Sequence, residues 1–239
     1  MKLSIIVPCY DEEETMPHLS EILKNILQEL RKKYEIELIF VDDGSTDNTL
    51  KLLKKFFSNY RFAKIAQHKT NRGIGAAFRT GIKNSTGDII FQFDADCTYP
   101  AKDILNMISY LKDYDIVTAS PYHPNGKVEG VQKYRLLLSK SASSIYKILS
   151  GSGIHTYTSS FRAYKADVIK NIKFKSDGFV CFAEVMILAL MKNYKVKEYP
   201  SVLSKRKFGQ SKMKTLKVIF EHTRLMGRIL WIKIKHAFG

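Results

Sequence analysis

The chain has 239 residues, of which 45% are hydrophobic and 26% charged, a composition typical of one large globular domain with a buried core. No stretch approaches the ~18 uninterrupted apolar residues of a membrane-spanning helix, and the N-terminus lacks the pattern of a signal peptide. The net charge of +16 indicates an anionic partner such as nucleic acid, anionic lipid or a phosphorylated ligand, although a solvated basic helix face is an equally simple explanation.

Strand-like and helical patterns alternate through the first half of the chain. Short apolar runs predict strands at residues 3–7, 37–41, 63–67, 88–93 and 115–119. Helical spacing predicts helices at residues 16–30, 46–57, 76–83 and 102–112. Asp11, with Glu14 three residues later, resembles a capping box before the first helix. This alternation predicts an α/β fold with a mainly parallel sheet and helices on both faces.

The second half of the chain is less regular. Its pattern predicts a Pro- and Gly-rich loop at 121–130, a helix at 132–149, a loop at 151–158, a strand at 159–163, a helix at 179–192 and a strand at 195–199. A basic loop at 205–214 and a helix to about residue 238 follow. Residues 205–239 contain ten Lys and Arg residues against one acidic residue. We therefore divide the chain into a main domain at 1–204 and a basic C-terminal segment at 205–239.

Three predicted strands end in polar clusters, and ligands of such sheets bind beyond the carboxyl ends of the strands. Asp94 and Asp96 follow the fourth strand and lie two residues apart, so on an extended backbone they point the same way. Two carboxylates on one side suit a hard divalent cation that also binds phosphate oxygens. An isolated Asp-x-Asp is more often a simple strand-end turn, but the two other polar strand ends favour a binding site.

The other two polar clusters suit a nucleoside. Asp42 and Asp43 end the second strand and can accept hydrogen bonds from a base or a ribose. Helix capping would be the structural alternative, but Ser45 or Thr46 already suits that role. After the first strand, Tyr10 could stack on a base and Glu12 could accept a hydrogen bond from it.

Two further segments contain basic side chains that could donate hydrogen bonds to phosphate groups. Residues 71–75 lack the third glycine of a dinucleotide fingerprint, so they predict either a tight helix-entry turn or a loop that brings Arg72 to a diphosphate. The loop at 205–212 contains Arg206 and Lys212, which suit phosphate groups, or else it is a basic surface loop. The last helix mixes Phe220 and Trp231 with basic residues, which indicates either a membrane interface or a helix packed on the domain.

Together these motifs resemble the inverting family 2 glycosyltransferases of the GT-A fold, and among them the dolichol-phosphate mannose and glucose synthases. The matching segments are residues 7–12, 41–47, 71–75, 93–96, 159–164 and 206–212. The resemblance implies a Rossmann-like three-layer α/β/α fold and a Mg²⁺ or Mn²⁺ ion on Asp94 and Asp96. Thr98 stands where many mannose synthases have a glutamine metal ligand, and Asp11 stands where asparagine is usual.

The resemblance also implies roles for residues in the rest of the site. It assigns the nucleoside to Pro8, Tyr10, Glu12 and Asp42, with Asp43 beside them. It assigns phosphates to Arg206 and Lys212 and the acceptor phosphate to Arg135. We expect a hexose to move from a nucleotide-sugar of the GDP-mannose or UDP-glucose type to polyprenyl or dolichyl phosphate. Because a phosphate oxygen is ionised at neutral pH, catalysis would rest on positioning and charge stabilisation around Asp96, without a strong base.

Two alternatives remain at this point. Transfer to a glycan hydroxyl would require a general base, for which Glu184 is the best candidate. A basic nucleic-acid-binding protein is supported by the net charge alone, and no recognised module accompanies it. The three cysteines are odd in number and lack metal-type spacing, so we expect a reducing compartment. With the basic helix, this predicts a cytoplasmic protein bound peripherally to the cytoplasmic face of a membrane, and leaves the oligomeric state open.

Overall fold

Nine strands form two sheets in the computed structural model, which describes the backbone of residues 1–238 and the side chains of residues 1–234. Gly239 and the side chain of Lys235, both in the predicted C-terminal segment, lie outside the described part. The strands are β1 (Lys2–Cys9), β2 (Glu35–Asp42), β3 (Ala63–Gln67), β4 (Ile89–Gln92), β5 (Ile116–Ser120), β6 (Lys127–Glu129), β7 (Arg162–Lys165), β8 (Val196–Pro200) and β9 (Val202–Ser204). The main sheet has the order β3-β2-β1-β4-β7-β5-β8, and β6 pairs with β9.

Eight helices surround the main sheet in the described chain. They are α1 (Met16–Leu30), α2 (Thr49–Phe57), α3 (Ile74–Asn84), α4 (Asp103–Ser109), α5 (Lys133–Ser150), α6 (Ala166–Asn171), α7 (Cys181–Met191) and α8 (Thr215–Phe238). The alternating side chains of β1 explain the layers, because Ile5 packs into one apolar cluster with α1, α2 and α4 while Ile6 packs into another with α3, α6 and α7. The predicted three-layer α/β/α arrangement is confirmed.

All pairings of the main sheet are parallel except those of β7, which runs antiparallel to β4 and β5. Its first residue, Arg162, is opposite Gln92 and Thr118. The strand therefore enters the sheet at the edge where β4 and β5 end, and the loop before it lies at that edge. The predicted strand at 159–163 is displaced by a few residues, because residues 159–161 belong to this loop.

The structure differs from the predictions at several local points. Asp11 does not cap α1: its φ is 49°, and its carboxylate accepts a 2.8 Å hydrogen bond from the Thr46 amide. Because Ser45 and Thr46 are engaged with Asp11, α2 begins only at Thr49. Strands β6 and β9 and helix α6 were not predicted, since each has six residues or fewer.

Helices α5, α7 and α8 form a third apolar cluster beside the sheet. Leu225 and Ile229 of α8 are buried against Tyr146 of α5 and Met186 of α7. The opposite side of α8 leaves Phe220 exposed. The helix is therefore packed on the domain along one face, and along another it carries apolar side chains in solvent. Within the described residues, no helix combines the length and apolar character needed to cross a bilayer.

Gly81 is the point of closest approach between α3 and β1. A Cβ atom at this position would lie 2.3 Å from Cγ2 of Ile6. We expect Gly81→Ala to lower the free energy of unfolding by about 1–3 kcal/mol, because the crowded core must shift. Gly227→Ala is the matched control, since a Cβ at that position of α8 meets no atom within 4 Å and alanine favours the helix by up to about 1 kcal/mol. Equal urea denaturation midpoints of the two variants would contradict this packing.

Candidate active site at the carboxyl edge of the sheet

The carboxyl ends of β1, β2 and β4 open into a cavity of about 850 Å³ that extends to α5 and α8. Its wall has three chemically different parts. The acidic part contains Glu12, Asp43, Asp94 and Asp96. The basic part contains Arg135, Arg206, Lys212, Lys214 and Lys217. The apolar part contains Leu136, Leu138, Ile145, Val218, Ile219 and Met226.

The loops after β1 and β2 brace each other. The Glu12 amide donates to the Thr49 hydroxyl at 2.7 Å, and the Glu13 amide donates to Asp47 at 3.1 Å. In return, the Asn48 amide donates to Glu13 at 3.0 Å. These reciprocal bonds fix the backbone beside Pro8 and Tyr10, both of which line the cavity.

The two aspartates at the end of β2 have different environments. Asp43 is buried; its Oδ1 accepts from the Arg72 amide at 3.0 Å and lies 2.6 Å from Nδ1 of His68, and its Oδ2 accepts from the Gly73 amide at 2.7 Å. Asp43 thus anchors the turn at 71–75. Asp42 is fully buried, and neither carboxylate oxygen has a hydrogen-bond partner among the described residues. Asp42 does not line the cavity, so of the two aspartates only Asp43 contributes to its wall.

Asp94 and Asp96 both line the cavity, as predicted. Ser160 donates to Oδ2 of Asp94 at 2.6 Å, and the Thr98 amide donates to Oδ1 of Asp96 at 3.2 Å. Burial and the neighbouring charge of Asp96 raise the pKa of Asp94 to about 7, despite the opposing hydrogen bond from Ser160. Burial and the same two aspartates raise the pKa of Cys97 to about 12. The acidic groups at this end of the cavity are therefore close enough to interact electrostatically.

Arg206 is the cation that faces this acidic group. Its guanidinium pairs with both carboxylate oxygens of Glu12, and its Nε lies 3.8 Å from Asp96. Burial raises the pKa of Glu12, and the contact with Arg206 opposes that shift. The loop around Arg206 docks on the start of α1 through a 3.1 Å bond from the Gly209 amide to Glu14.

The chemistry of this acidic group fits a hard divalent cation only in part. Asp94 and Asp96 provide carboxylate oxygens on one wall, which Mg²⁺ and Mn²⁺ favour. Within the described residues, no three His, Cys, Asp or Glu side chains converge to form a complete metal site. A cation bound to the two aspartates would therefore need further oxygens from a phosphate ligand or from water, as is common for Mg²⁺.

The predicted phosphate ligands reach the same cavity from two sides. Arg135, at the start of α5, and Lys212, in the loop before α8, both contribute to the wall. Arg72 does not reach it, although its backbone amide is bound to Asp43. The second glycine of the turn, Gly75, is explained by packing, because a Cβ there would lie 2.3 Å from the Ser176 carbonyl oxygen.

Glu184, the predicted general base, does not line the cavity. The side chain is 1% exposed and pairs with Arg228. It also accepts hydrogen bonds from the amides of Lys175 and Ser176 at 3.1 and 2.8 Å. Burial alone would raise the pKa of Glu184, but the bonds from Ser176 and Arg228 outweigh burial and lower it. A fully engaged carboxylate with a low pKa is poorly suited to accept a substrate proton.

Two structural roles were not predicted from the sequence. Ser160 orients Asp94, and Arg162 holds the loop that carries Ser160 by donating to the Ser159 carbonyl at 2.8 Å. Arg162 is fully buried and also donates to Thr118 and to the Phe182 carbonyl. A basic residue inside an apolar strand was the available signal, since a buried arginine requires this many acceptors.

The sequence profile of glycosyl transferase family 2 matches residues 4–173. The dolichol-phosphate mannosyltransferase of Pyrococcus furiosus is 33% identical over 233 residues, covering 96% of this chain and 64% of the relative. This chain thus spans just under two thirds of that relative's length. The polyprenol monophosphomannose synthase of Mycolicibacterium smegmatis is 27% identical, covering 87% of this chain and 80% of the relative.

Solved structures with the same fold include glucosyl-3-phosphoglycerate synthase from Mycobacterium tuberculosis. Its complex with Mn²⁺, UDP and glucosyl-3-phosphoglycerate superposes with a TM-score of 0.70 at 17% identity, covering 96% of this chain and 78% of the other. A second complex of the same synthase contains Mg²⁺ and UDP and gives a TM-score of 0.69 at 16% identity. At such identities the likeness supports the fold alone, and it confirms the predicted GT-A architecture.

The raised pKa of Asp94 predicts that metal affinity depends on pH. Below about pH 7 a metal must displace the proton on Asp94, so Mn²⁺ affinity should weaken by up to about tenfold per pH unit, and above it the affinity should level off. Ser160→Ala removes a bond that lowers this pKa and should move the curve to higher pH. Ser139→Ala is the control, because this cavity hydroxyl contacts Thr158 instead. Mn²⁺ titration followed by electron paramagnetic resonance would test this, and a flat profile from pH 6 to 8 would contradict it.

Proposed function

The chain belongs to glycosyl transferase family 2, and from that premise we propose that it transfers a hexose from a nucleotide-sugar to the phosphate of a polyprenyl or dolichyl lipid. The observation that carries the proposal is the chemistry of the cavity lining. The lining combines acidic groups that could hold a metal-bound diphosphate, Arg and Lys side chains, and apolar side chains of α5 and α8. An amphiphile with an anionic head and a hydrocarbon chain matches the basic and the apolar groups.

The donor belongs at the edge formed by β1, β2 and β4. Pro8, Tyr10 and Glu12 line the cavity and would hold the nucleoside, whereas Asp42 is buried beneath the lining and could reach a base or ribose only after a local rearrangement. Asp94 and Asp96, with Thr98 beside them, would hold Mg²⁺ or Mn²⁺ through oxygen ligands. When bound, such a metal neutralises the charge that develops on a leaving diphosphate.

The residues of the chain would provide the remaining charge stabilisation. Arg135 would hold the acceptor phosphate, and Lys212 would bring a second positive charge over the same space. Arg206 is paired with Glu12, and a bound diphosphate would offer its guanidinium an alternative anionic partner. These groups would hold an acceptor oxygen in line with the anomeric carbon and so favour inversion in a single displacement.

The acceptor is the point on which the two enzymatic hypotheses differ. A phosphate oxygen is already ionised at neutral pH, whereas a glycan hydroxyl needs a base to remove its proton. Because Glu184 lies outside the cavity, the hydroxyl hypothesis loses its candidate base. The relatives from Pyrococcus and Mycolicibacterium bear the names of lipid-phosphate sugar transferases, which favours the same acceptor class.

We also propose that α5 and α8 contact a membrane peripherally. Ile148 of α5 and Leu216 of α8 are about 80% exposed, and Trp231 of α8 is 62% exposed. Basic side chains such as Arg224 accompany them on α8. Apolar and basic groups side by side suit the boundary between anionic headgroups and acyl chains. Since both helices line the cavity, a lipid phosphate could reach Arg135 from that boundary.

The function can be tested directly with a panel of donors. We expect one nucleotide-sugar, in the presence of Mg²⁺ or Mn²⁺ and polyprenyl phosphate in detergent micelles, to yield a glycosyl phospholipid detectable by mass spectrometry. Asp96→Asn should lower turnover by about 10²–10³-fold, because it removes a charge that holds the metal. A protein that binds nucleotide and metal yet transfers no sugar from any donor to the lipid would refute the proposed acceptor.

The assignment of Arg135 makes a separate prediction about the acceptor. Arg135→Gln should raise KM for polyprenyl phosphate about tenfold or more, because a charge-assisted bond to phosphate is lost, and should leave KM for the donor unchanged. Lys133→Gln is the matched control, since Lys133 begins the same helix and is exposed outside the cavity. Equal effects of the two substitutions on steady-state kinetics would contradict the role of Arg135.

A further inference from the structure

Glu184 connects two segments that are far apart in the sequence. Its carboxylate pairs with Arg228, which lies in the middle of α8. The same carboxylate accepts the amides of Lys175 and Ser176, in the loop before α7. Because Glu184 is 1% exposed, loss of either partner would leave a buried charge poorly satisfied.

The loop bound by Glu184 supports the turn at the donor end. The Asp177 carbonyl accepts a 2.6 Å hydrogen bond from the Gly75 amide, at the start of α3. Arg79 of α3 donates to the Ser176 carbonyl at 2.9 Å and pairs with the Asp177 carboxylate. A Cβ on Gly73 would lie only 2.4 Å from the Asp177 carbonyl oxygen, so the two backbones are in direct contact. Movement of the loop must therefore move the turn.

The loop also touches α8 directly. A Cβ on Gly178 would lie 2.5 Å from a carboxylate oxygen of Glu221, which belongs to α8. Gly178, Phe179 and Glu221 all line the cavity. Two contacts, one through Arg228 and one through Glu221, therefore hold the loop to the helix that presents apolar side chains to solvent. The route from α8 to the donor end passes entirely through packed or hydrogen-bonded groups.

We propose that Glu184 is a positioning residue that ties α8 to the donor-side turn at Gly73 and Gly75, so that the seating of α8 controls nucleotide affinity. The inference rests on the proposed function in that the turn is taken to border the nucleotide. In this proposal α8 does more than contact lipid. When α8 is packed in place, it holds the turn at 73–75 in the geometry that binds the nucleotide. Coupling between two sites is reciprocal. Nucleotide binding should therefore stabilise the packed position of α8 by the same free energy by which that position favours nucleotide binding.

Arg228 offers the cleanest test, because its side chain is 41% exposed and its replacement should not unfold the protein. Arg228→Gln removes the charge that holds α8 to Glu184. Arg224→Gln is the matched control, because it removes the same charge from the same helix at an exposed position. Arg228→Lys restores the charge without the planar guanidinium and should recover part of the effect.

Hydrogen exchange measured by mass spectrometry can detect the coupling between α8 and the turn at 73–75 in the absence of any ligand. We expect Arg228→Gln to speed exchange of the peptide that contains the Gly75 amide by about threefold to tenfold. The effect should be moderate, because a partly exposed ion pair contributes less to stability than a buried one. Calorimetric titration with UDP and with GDP, each with Mn²⁺, should give a similar loss of affinity. Arg224→Gln should change both quantities by less than about twofold.

The outcomes separate this inference from the proposed function. If Arg228→Gln leaves exchange around Gly75 equal to that of Arg224→Gln, the coupling is refuted, whatever the protein catalyses. If the wild-type protein binds neither nucleotide, the proposed function fails, while the exchange experiment still decides whether Glu184 couples the two segments. Glu184→Gln should speed this exchange at least as much as Arg228→Gln, because it removes the charge that pairs with Arg228 and also one of the two oxygens that accept the loop amides. The double variant should add little to Glu184→Gln.

Discussion

Parallel hydrogen bonding of β1 to both β2 and β4 is the constraint on which the site depends. It brings three strand ends to one edge of the sheet, so Glu12, Asp43 and Asp94 line one cavity although they lie far apart in sequence. The antiparallel strand β7 completes the arrangement from the opposite direction. Because it begins at that edge, the loop before it can deliver Ser160 to Asp94. The reversed direction of this strand therefore places the Ser160 hydroxyl beside Asp94 at the edge where the parallel strands end.

Concentrating carboxylates at one edge has an electrostatic cost. Each buried acid raises the pKa of its neighbours, as seen for Asp94 and Cys97, and the ionised forms are tolerable only with compensating cations or donors. Arg206 supplies that compensation from the basic C-terminal segment. Part of the net charge of +16 is therefore explained locally, because several of the basic residues line the same cavity as the acidic groups. An interpretation of the charge as nucleic-acid binding overlooks this pairing.

The periodic parts of the fold were open to prediction from the sequence, and the parts set by tertiary contacts were not. Asp94 and Asp96 stand out because they end a strongly apolar strand, and α1 and β3 have the predicted bounds. The direction of β7 could not be predicted, because a strand of four residues carries no sign of its pairing. The contacts of Glu184 could not be predicted for a related reason: a single acid in an apolar helix stands out in the sequence, but its partners, Arg228 and two backbone amides, come from segments outside that helix.

The contact between the turn at 73–75 and the backbone at 176–177 has a consequence for how the chain can be cut and how it folds. The profile of the family stops at residue 173, but the support of the donor-side turn comes from the residues that immediately follow. A fragment trimmed to the matched region would retain the strand ends and lose the surface on which Gly73 and Gly75 rest. During synthesis, the turn must likewise wait for about a hundred further residues, a loop closure of high contact order. A fragment that keeps the support of this turn must therefore extend at least through Asp177.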